Sequence, residues 1–375
     1  MAKRPRILLI GASGYGSVYL NELLQNDTGA DLVGICDISP GISAGAIPVY
    51  QSLDAFYAAD SADLAIIVTP VHYHVGMVLF CLQNGSNVLC EKPLCLTLEE
   101  ATRMQDAAKA AGKFLSLGYQ LNYRRDVLAL KKDILAGRFG KPKRFSILHC
   151  SKRGAAYYAR NNWAGRITLN GREVFDSPFT NSNAHQFQMM TFLLGANMHS
   201  ACEIKSLEAD LYHGNPDVEN YDIAALRFQT AENVALCYYT AHTIVENLGP
   251  IGVFEFENGR VTFNSEESSF LAKMNDGTSF RYSDITPFGG MQKLYDAIDC
   301  VKNGGAPLCG AEADKAHIKA VRMVQALPIQ NVREALRRYE MANGDTFIHI
   351  DGLKDIFEKS AQKWALPSEI GLGLM

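Results

Sequence analysis

From residue 6 onward, short apolar runs alternate with segments whose apolar positions recur at helical spacing. Residues 6–10 predict a buried strand, and the residues after the Gly11–Gly16 turn predict an amphipathic helix to about residue 25. Further strands are expected at 31–36, 64–68, 88–90 and 114–117, with helices at about 71–83 and 98–111. Strands alternating with helices imply βαβ units and a parallel sheet. After a helix at about 124–136 the pattern changes. Strands predominate at 144–150, 201–211, 223–229, 233–243, 253–257 and 260–264. Several alternate in polarity, as antiparallel strands with one covered face do, and Asn258-Gly259 is a hairpin turn signal. Helices return at about 290–302 and 311–326. The predicted class is α/β. A doubly wound parallel sheet spans residues 1–121, and residues 122–375 form an α+β domain on a large, mostly antiparallel open sheet.

Composition narrows the function classes. At 375 residues, 47% hydrophobic and 20% charged, the chain has the make-up of a globular protein of about two domains. A net charge of −4 gives no reason to expect nucleic acid or a membrane surface as partner. No apolar run approaches the roughly 18 residues of a membrane span. The first residues lack the apolar stretch and cleavage site of a secretory signal, so a cytoplasmic protein is expected. Nine cysteines show no CxxC or Cys/His ligand spacing, and Cys36, Cys81, Cys90 and Cys237 lie in apolar runs. They read as reduced core residues, with no metal site.

The candidate chemistry lies at the carboxyl ends of the first domain's strands, where open parallel sheets bind ligands. Gly11-x-Ser13-x-x-Gly16 joins the first strand to the first helix. A dinucleotide loop needs a glycine for the tight turn, a small residue facing the pyrophosphate and a glycine for close helix packing. Ser13, with Gly14 beside it, takes the middle position. Gly11, Ser13, Gly14, Tyr15 and Gly16 are therefore the candidate phosphate contacts, beside free N–H groups at the helix start. Asp37 follows Gly16 by 21 residues. A carboxylate there accepts ribose hydroxyls and repels a 2′-phosphate, which favours NAD over NADP. The plainer alternative is a glycine turn with a solvated strand-end acid.

Thr69-Pro70 follows another strand and is expected near the nicotinamide half of the cofactor. His74 reads as site lining, against the alternative of a capping or packing histidine. Val88-Leu89-Cys90-Glu91-Lys92-Pro93 is a strand that stops at a charged pair and a proline. A lysine held at that edge is a candidate for chemistry, because a partly desolvated ammonium shifts its pKa easily. The alternative is a surface ion pair at a turn.

Taken in order, these residues resemble the Gfo/Idh/MocA oxidoreductases, the family of glucose–fructose oxidoreductase and the inositol dehydrogenases. The resemblance rests on the 11–16 loop, Asp37, Thr69-Pro70 with His74, Glu91-Lys92-Pro93 and the strand leading to Gly118-Tyr119-Gln120. It continues through Trp163, Asn181-Ser182-Asn183-Ala184-His185 and Leu193-Leu194-Gly195 to the Gly310-Ala311-Glu312 turn. Residues after about Leu327 carry no part of it. The resemblance implies a Rossmann domain and an α/β domain whose open sheet often mediates oligomers, here a dimer or tetramer. It also implies a bound nicotinamide cofactor, with Thr69, Pro70, His74, Glu91, Lys92 and Gln120 among its contacts, and a sugar or polyol substrate. In the family's pattern the Glu-Lys-Pro lysine, here Lys92, sits in the active site. An aspartate and a histidine four residues apart complete it. His185 matches the histidine, whereas the aspartate position is Asn181 and a later aspartate position is Gln188. Val71 replaces an asparagine common after Thr-Pro.

Oxidising a secondary alcohol removes a proton from oxygen and a hydride from carbon, and the cofactor takes the hydride. His185 is the expected base, with an ordinary pKa suited to neutral pH. Lys92 is expected to hold the hydroxyl and stabilise the developing alkoxide. Asn181 shares a face with His185 if the stretch is helical. It can hydrogen-bond substrate or orient the imidazole without supplying negative charge, which leaves Lys92 more of the proton work. The plainer alternative for His185 is a packed residue at a helix start. Residues 153–166 are polar and aromatic, as sugar sites are. Arg153, Tyr157 and Trp163 are expected to contact substrate together with Asn181, Asn183 and His185. The alternative there is a solvated loop with one anchoring aromatic. The asparagine amides suit a neutral polyol. The expected function is NAD-dependent hydride transfer to or from a secondary hydroxyl of a sugar, cyclic polyol or glycoside. One version is C3 oxidation of a glucoside with a tightly bound, recycled cofactor. The alternatives are a non-catalytic NAD-binding sensor or regulator and a reductase of an unrelated carbonyl or imine.

Overall fold

The strand Arg6–Ile10 has Ile7, Leu8, Leu9 and Ile10 all buried, as a strand covered on both faces requires. In the computed structural model, which describes residues 3–264 and 269–374, this strand lies inside a six-stranded parallel sheet. The order is Val49–Tyr50, Asp31–Cys36, Arg6–Ile10, Leu64–Ile67, Asn87–Cys90, Leu115–Leu117. The order reverses beside Arg6–Ile10, so the ends of this strand and Leu64–Ile67 flank the crevice where such sheets bind ligands. The helices Gly16–Gln25, Leu53–Ala59, Val71–Gln83 and Leu98–Ala110 connect the strands. The last is capped by Thr97, whose side chain accepts the Glu100 N–H.

The chain forms two compact units, Met1–Arg124 with Thr286–Lys315 and Arg125–Ile285 with Ala316–Met375. A boundary at residue 121 leaves out the return of 286–315 to the first unit. Helix Gln292–Asn303 brings Leu294, Ala297 and Ile298 into one core with Ile7, Leu9, Ile35, Leu64, Ile66 and Leu89. The apolar period of this segment predicts a helix but does not say which sheet it covers.

The second unit holds a nine-stranded sheet in the order Ser279–Ser283, Ser269–Met274, Gly259–Phe263, Leu248–Phe256, Pro142–Cys150, Ala235–Ala241, Ile223–Thr230, Ile204–His213, Gln330–Asn331. The pairings of Pro142–Cys150 with Ala235–Ala241 and of Ile204–His213 with Gln330–Asn331 are parallel, and the rest are antiparallel. The predicted α/β class, a parallel sheet followed by a mostly antiparallel one, is the architecture found. The central strands are buried on both faces. Tyr238 and Phe228 pack with Phe179 and Phe187. Cys237 and Tyr239 share a core with Leu353, Phe357 and Leu366. The residues after Leu327 thus supply a hairpin, Arg337–Ala342 with Asp345–Ile350, and a helix, Leu353–Lys363, that covers one face of the sheet. All nine cysteines are free, and all but Cys300 are buried. Among the described residues no helix is long and apolar enough to cross a membrane.

Candidate active site

Strand Arg6–Ile10 ends at Gly11, whose N–H donates to Cys36 O at 2.9 Å and whose φ of +83° favours glycine. A Cβ at Gly11 would lie 2.7 Å from Val68 O, and one at Gly16 2.0 Å from Gly11 O. The first glycine lets the neighbouring strand end pass, and the second seats helix Gly16–Gln25 on the loop. Ser13, Gly14 and Tyr15 are exposed, with open space where a Gly14 side chain would be. These residues fit the pyrophosphate of a dinucleotide at a helix start. Asp37 is only 6% exposed and accepts the N–H groups of Ala12 and Ser39, each at 2.7 Å. Burial pushes its pKa up, but these N–H bonds outweigh burial and hold it below the ordinary carboxylate value. Asp37 therefore ties the loop to the second strand, and its oxygens keep acceptor capacity for a ribose hydroxyl.

Thr69 and Pro70 follow the strand Leu64–Ile67, and the Thr69 hydroxyl lies 3.4 Å from Met77 Sδ. His74 does not line an open site. It is buried, with Nε2 2.7 Å from Thr69 O and Nδ1 3.0 and 3.1 Å from Pro93 O and Leu94 O. Burial pulls its pKa down against these carbonyls, which favour the charged ring. The ring clamps the Thr-Pro turn to the Glu-Lys-Pro turn, so the packing alternative describes it.

Glu91 also departs from its expected place among the cofactor contacts. Its buried carboxylate accepts the Tyr19 hydroxyl at 2.7 Å and pairs with Lys293. Lys293 is 0% exposed and also reaches the Tyr15 hydroxyl (3.2 Å) and Gly118 O (3.3 Å). Burial alone would raise the Glu91 pKa; the Lys293 charge and then the Tyr19 hydroxyl overcome it and hold it low. A Cβ at Gly118 would meet the Glu91 carboxylate at 2.4–2.6 Å, so glycine makes room for the pair. Glu91 also accepts the backbone N–H of Lys92 at 3.2 Å, which anchors the turn that carries the half-buried Lys92. The Tyr15 hydroxyl is 3.3 Å from Gln120 Oε1, which joins the glycine loop to the same network. Lys293 lies 202 residues beyond Glu91, and no motif marks it.

In the second unit, Asn181 lies in a π-type turn, Pro178–Ser182, whose preceding Ser177 hydroxyl accepts the Thr180 N–H. His185, half-buried, is in the first turn of helix Ala184–Leu193. The continuous helix over 181–185 is not formed, because Asn183 at φ −109°, ψ 15° separates the two pieces. Asn181 Nδ2 donates to Asp176 Oδ1 at 2.8 Å. Asp176 is buried and also accepts the Gly165 N–H at 2.7 Å. A carboxylate therefore stands one hydrogen bond behind the asparagine. Sequence reasoning missed it, because five residues of non-helical chain carry no spacing signal. Gln188 is fully buried on the inner side of the helix.

Asn183 is not available to a substrate. It is buried; its Oδ1 accepts Ser151 Oγ at 2.8 Å, and its Nδ2 donates to Thr240 Oγ1 and His149 O at 2.9 and 3.2 Å. The amide is used up fastening the helix start to the sheet. Arg153, Tyr157 and Trp163 lie in one cluster with Arg160. Arg153 and Arg160 lie 5.0 and 3.6 Å from the Tyr157 ring, and Arg160 is 5.2 Å from Trp163. Tyr157 packs edge-on to His242 at 5.2 Å, and His242 meets Tyr158 OH at 2.8 Å and Ser182 Oγ at 2.5 Å. Burial, reinforced by the charges of Arg153 and Arg160, keeps His242 neutral.

Residues 5–119 match the family described as "Oxidoreductase family, NAD-binding Rossmann fold", the Gfo/Idh/MocA oxidoreductases. The chain is 29% identical over 262 residues to an inositol 2-dehydrogenase of Burkholderia cenocepacia, covering 66% of this chain and 72% of that protein. It is 26% identical over 351 residues to inositol 2-dehydrogenase 2 of Paenarthrobacter aurescens, covering 86% and 96%. The WlbA dehydrogenase of Bordetella pertussis, solved with NADH and UDP-GlcNAcA, shares the fold with a TM-score of 0.71 at 20% identity, over 87% of this chain and 96% of that one. The myo-inositol 2-dehydrogenase of Lactobacillus plantarum does so at 0.67 and 18%, over 86% and 97%. The family that the motifs resemble is thus the one whose model matches residues 5–119, and that stretch is an NAD-binding Rossmann fold.

Proposed function

From the match of residues 5–119 to the NAD-binding Gfo/Idh/MocA oxidoreductases and the likeness to inositol 2-dehydrogenases, we propose that this chain moves a hydride between nicotinamide and a secondary hydroxyl of a sugar, cyclic polyol or glycoside. The observation that carries the reading is Lys92, on a turn anchored by the buried Glu91–Lys293 pair at the same sheet edge as the glycine loop. When bound, the nicotinamide supplies the hydride acceptor or donor. Lys92 donates a hydrogen bond to the reacting oxygen and stabilises its negative charge as the proton leaves. His185 takes that proton. Asn181, backed by Asp176, orients the imidazole or a substrate hydroxyl. Arg153, Tyr157 and Trp163 hold the substrate. The names of the relatives, inositol 2-dehydrogenases, support a polyhydroxy ring as substrate. C3 oxidation of a glucoside with a retained, recycled cofactor is a narrower form of the same chemistry. The nine free cysteines support a cytoplasmic site of action. We place the contact of a homo-oligomer, dimer or tetramer, on the outer strands Leu248–Phe256 to Ser279–Ser283, because the tail helix covers one face of the central strands. Sedimentation equilibrium reads the oligomer directly.

Purified protein incubated with NAD and a panel of monosaccharides, inositols and glycosides should form NADH, read by absorbance, with at least one class. Where cofactor co-purifies, mass spectrometry of both sugars detects recycling. NADH binding with no oxidation of any class overturns the enzyme reading and favours the sensor.

A further inference from the structure

Several cations of the second unit are paired: Lys152 with Glu340 at 2.7 Å, Arg144 with Glu255 at 2.6 Å, and Arg227 with Glu208 and Glu369 at 2.6 Å. Arg153 and Arg160, both against the Tyr157 ring, differ from these. Among the described residues, neither guanidinium has a carboxylate partner. Arg153 Nε is buried with no hydrogen-bond partner, and its Nη1 lies 3.5 Å from Lys152 O, at the limit of a bond. Arg160 gives Nη1 to Tyr157 O at 2.5 Å. A buried acid beside the cluster, Asp176, accepts from Gly165 and Asn181. A half-buried guanidinium without a counter-ion is costly, and two beside one ring repel each other. An anion that accepts from both removes both penalties, and carboxylates and phosphates match the guanidinium fork.

We propose that Arg153 and Arg160, on the Tyr157 platform, receive an anionic group of the substrate, so that the preferred sugar bears a carboxylate or a phosphate. This rests on the reading of the second unit as the substrate-holding one, and it replaces the neutral polyol suggested by the asparagines. The surroundings agree. His149 is lowered to about 4 by burial, with the nearby Arg153 charge adding to it. The cluster reaches the candidate catalytic residues through Ser182, which meets His242 and precedes Asn183 and His185 in one short stretch. The backbone that presents Arg153 is braced by the tail. Asp345 Oδ1 accepts the Ala156 N–H at 2.9 Å, Gly154 bridges to Phe347, and Lys152 pairs with Glu340.

The test is calorimetric titration of D-glucuronate, D-glucose 1-phosphate and D-glucose into protein saturated with NADH. At least one charged sugar should bind about tenfold or more tightly than glucose, and the two charged arms separate carboxylate from phosphate. Arg153→Gln should collapse that preference to about unity, and Arg160→Gln, at an exposed side chain that does not endanger folding, should reduce it several-fold. Equal or weaker binding of both charged sugars, or a preference untouched in both variants, overturns the proposal. NADH formation, followed in parallel, keeps the two readings apart. Turnover of neutral sugars without preference for charge removes the anion site and leaves the dehydrogenase. Arginine-dependent binding without any NADH does the reverse.

Discussion

Lys92 and Glu91 are neighbours in sequence with opposite roles. Glu91 is buried and paired with Lys293, and Lys92 is held half-buried by the turn that pair anchors. Lys92→Met should lower kcat/KM by about a hundredfold to a thousandfold, the usual loss when a group stabilising a developing oxyanion is removed. NADH affinity, read by fluorescence, should stay within a few-fold. His185→Ala should cost about a hundredfold or more; a loss under tenfold removes it as the base. Glu91→Gln leaves Lys293 as an uncompensated buried charge, a loss of about 3–5 kcal/mol in thermal or urea unfolding at pH 7. The folded-state pKa of Glu91 lies below its ordinary 4.5. Its stabilisation is therefore complete above about pH 4.5 and is lost as pH falls through the folded value. The difference between wild type and Glu91→Gln should narrow below pH 4.5.

At the scale of elements, the glycine loop and the C-terminal hairpin contrast. The loop was legible because its demands are local: a positive φ at Gly11 and a 2.0 Å clearance at Gly16 leave glycine as the fitting residue. Gly16→Ala forces a backbone shift and should raise the NADH dissociation constant at least about tenfold in fluorescence titration. The hairpin had no such signature. Its function is to brace residues 152–156 through Asp345, Phe347 and Glu340. Asp345→Ala should cost about 1 kcal/mol of stability and raise the substrate KM several-fold, with NADH binding unchanged. His74 and Asn183 were misread for a shared reason. Their residue types suit a site, but each is closed in by carbonyls or hydroxyls from distant strands and turns.

At the scale of the molecule, the first unit is discontinuous. Met291, Leu294 and Ile298 from the returning segment lie in its core. At about 1.5–3 kcal/mol for each buried side chain, they contribute about 5–9 kcal/mol, comparable to the whole stability of a typical domain. Residues 3–124 alone should therefore lack a cooperative thermal transition and bind a hydrophobic dye. The same residues linked to 286–315 should recover the transition.

Alternating apolar periods, one glycine loop and an ordered set of short motifs sufficed for the fold class, the NAD-binding domain and the family whose model residues 5–119 match. Each of those depends on neighbours within a few residues, where spacing maps directly onto geometry. Which buried charge faces which, whether an amide is spent on the core, and which face the tail covers depend on residues that can lie more than 200 apart in the chain. Nothing in a linear pattern encodes that Lys293 finds Glu91 or that Asp176 stands behind Asn181. Only the packed chain, where burial makes an unpaired charge expensive, selects those partners.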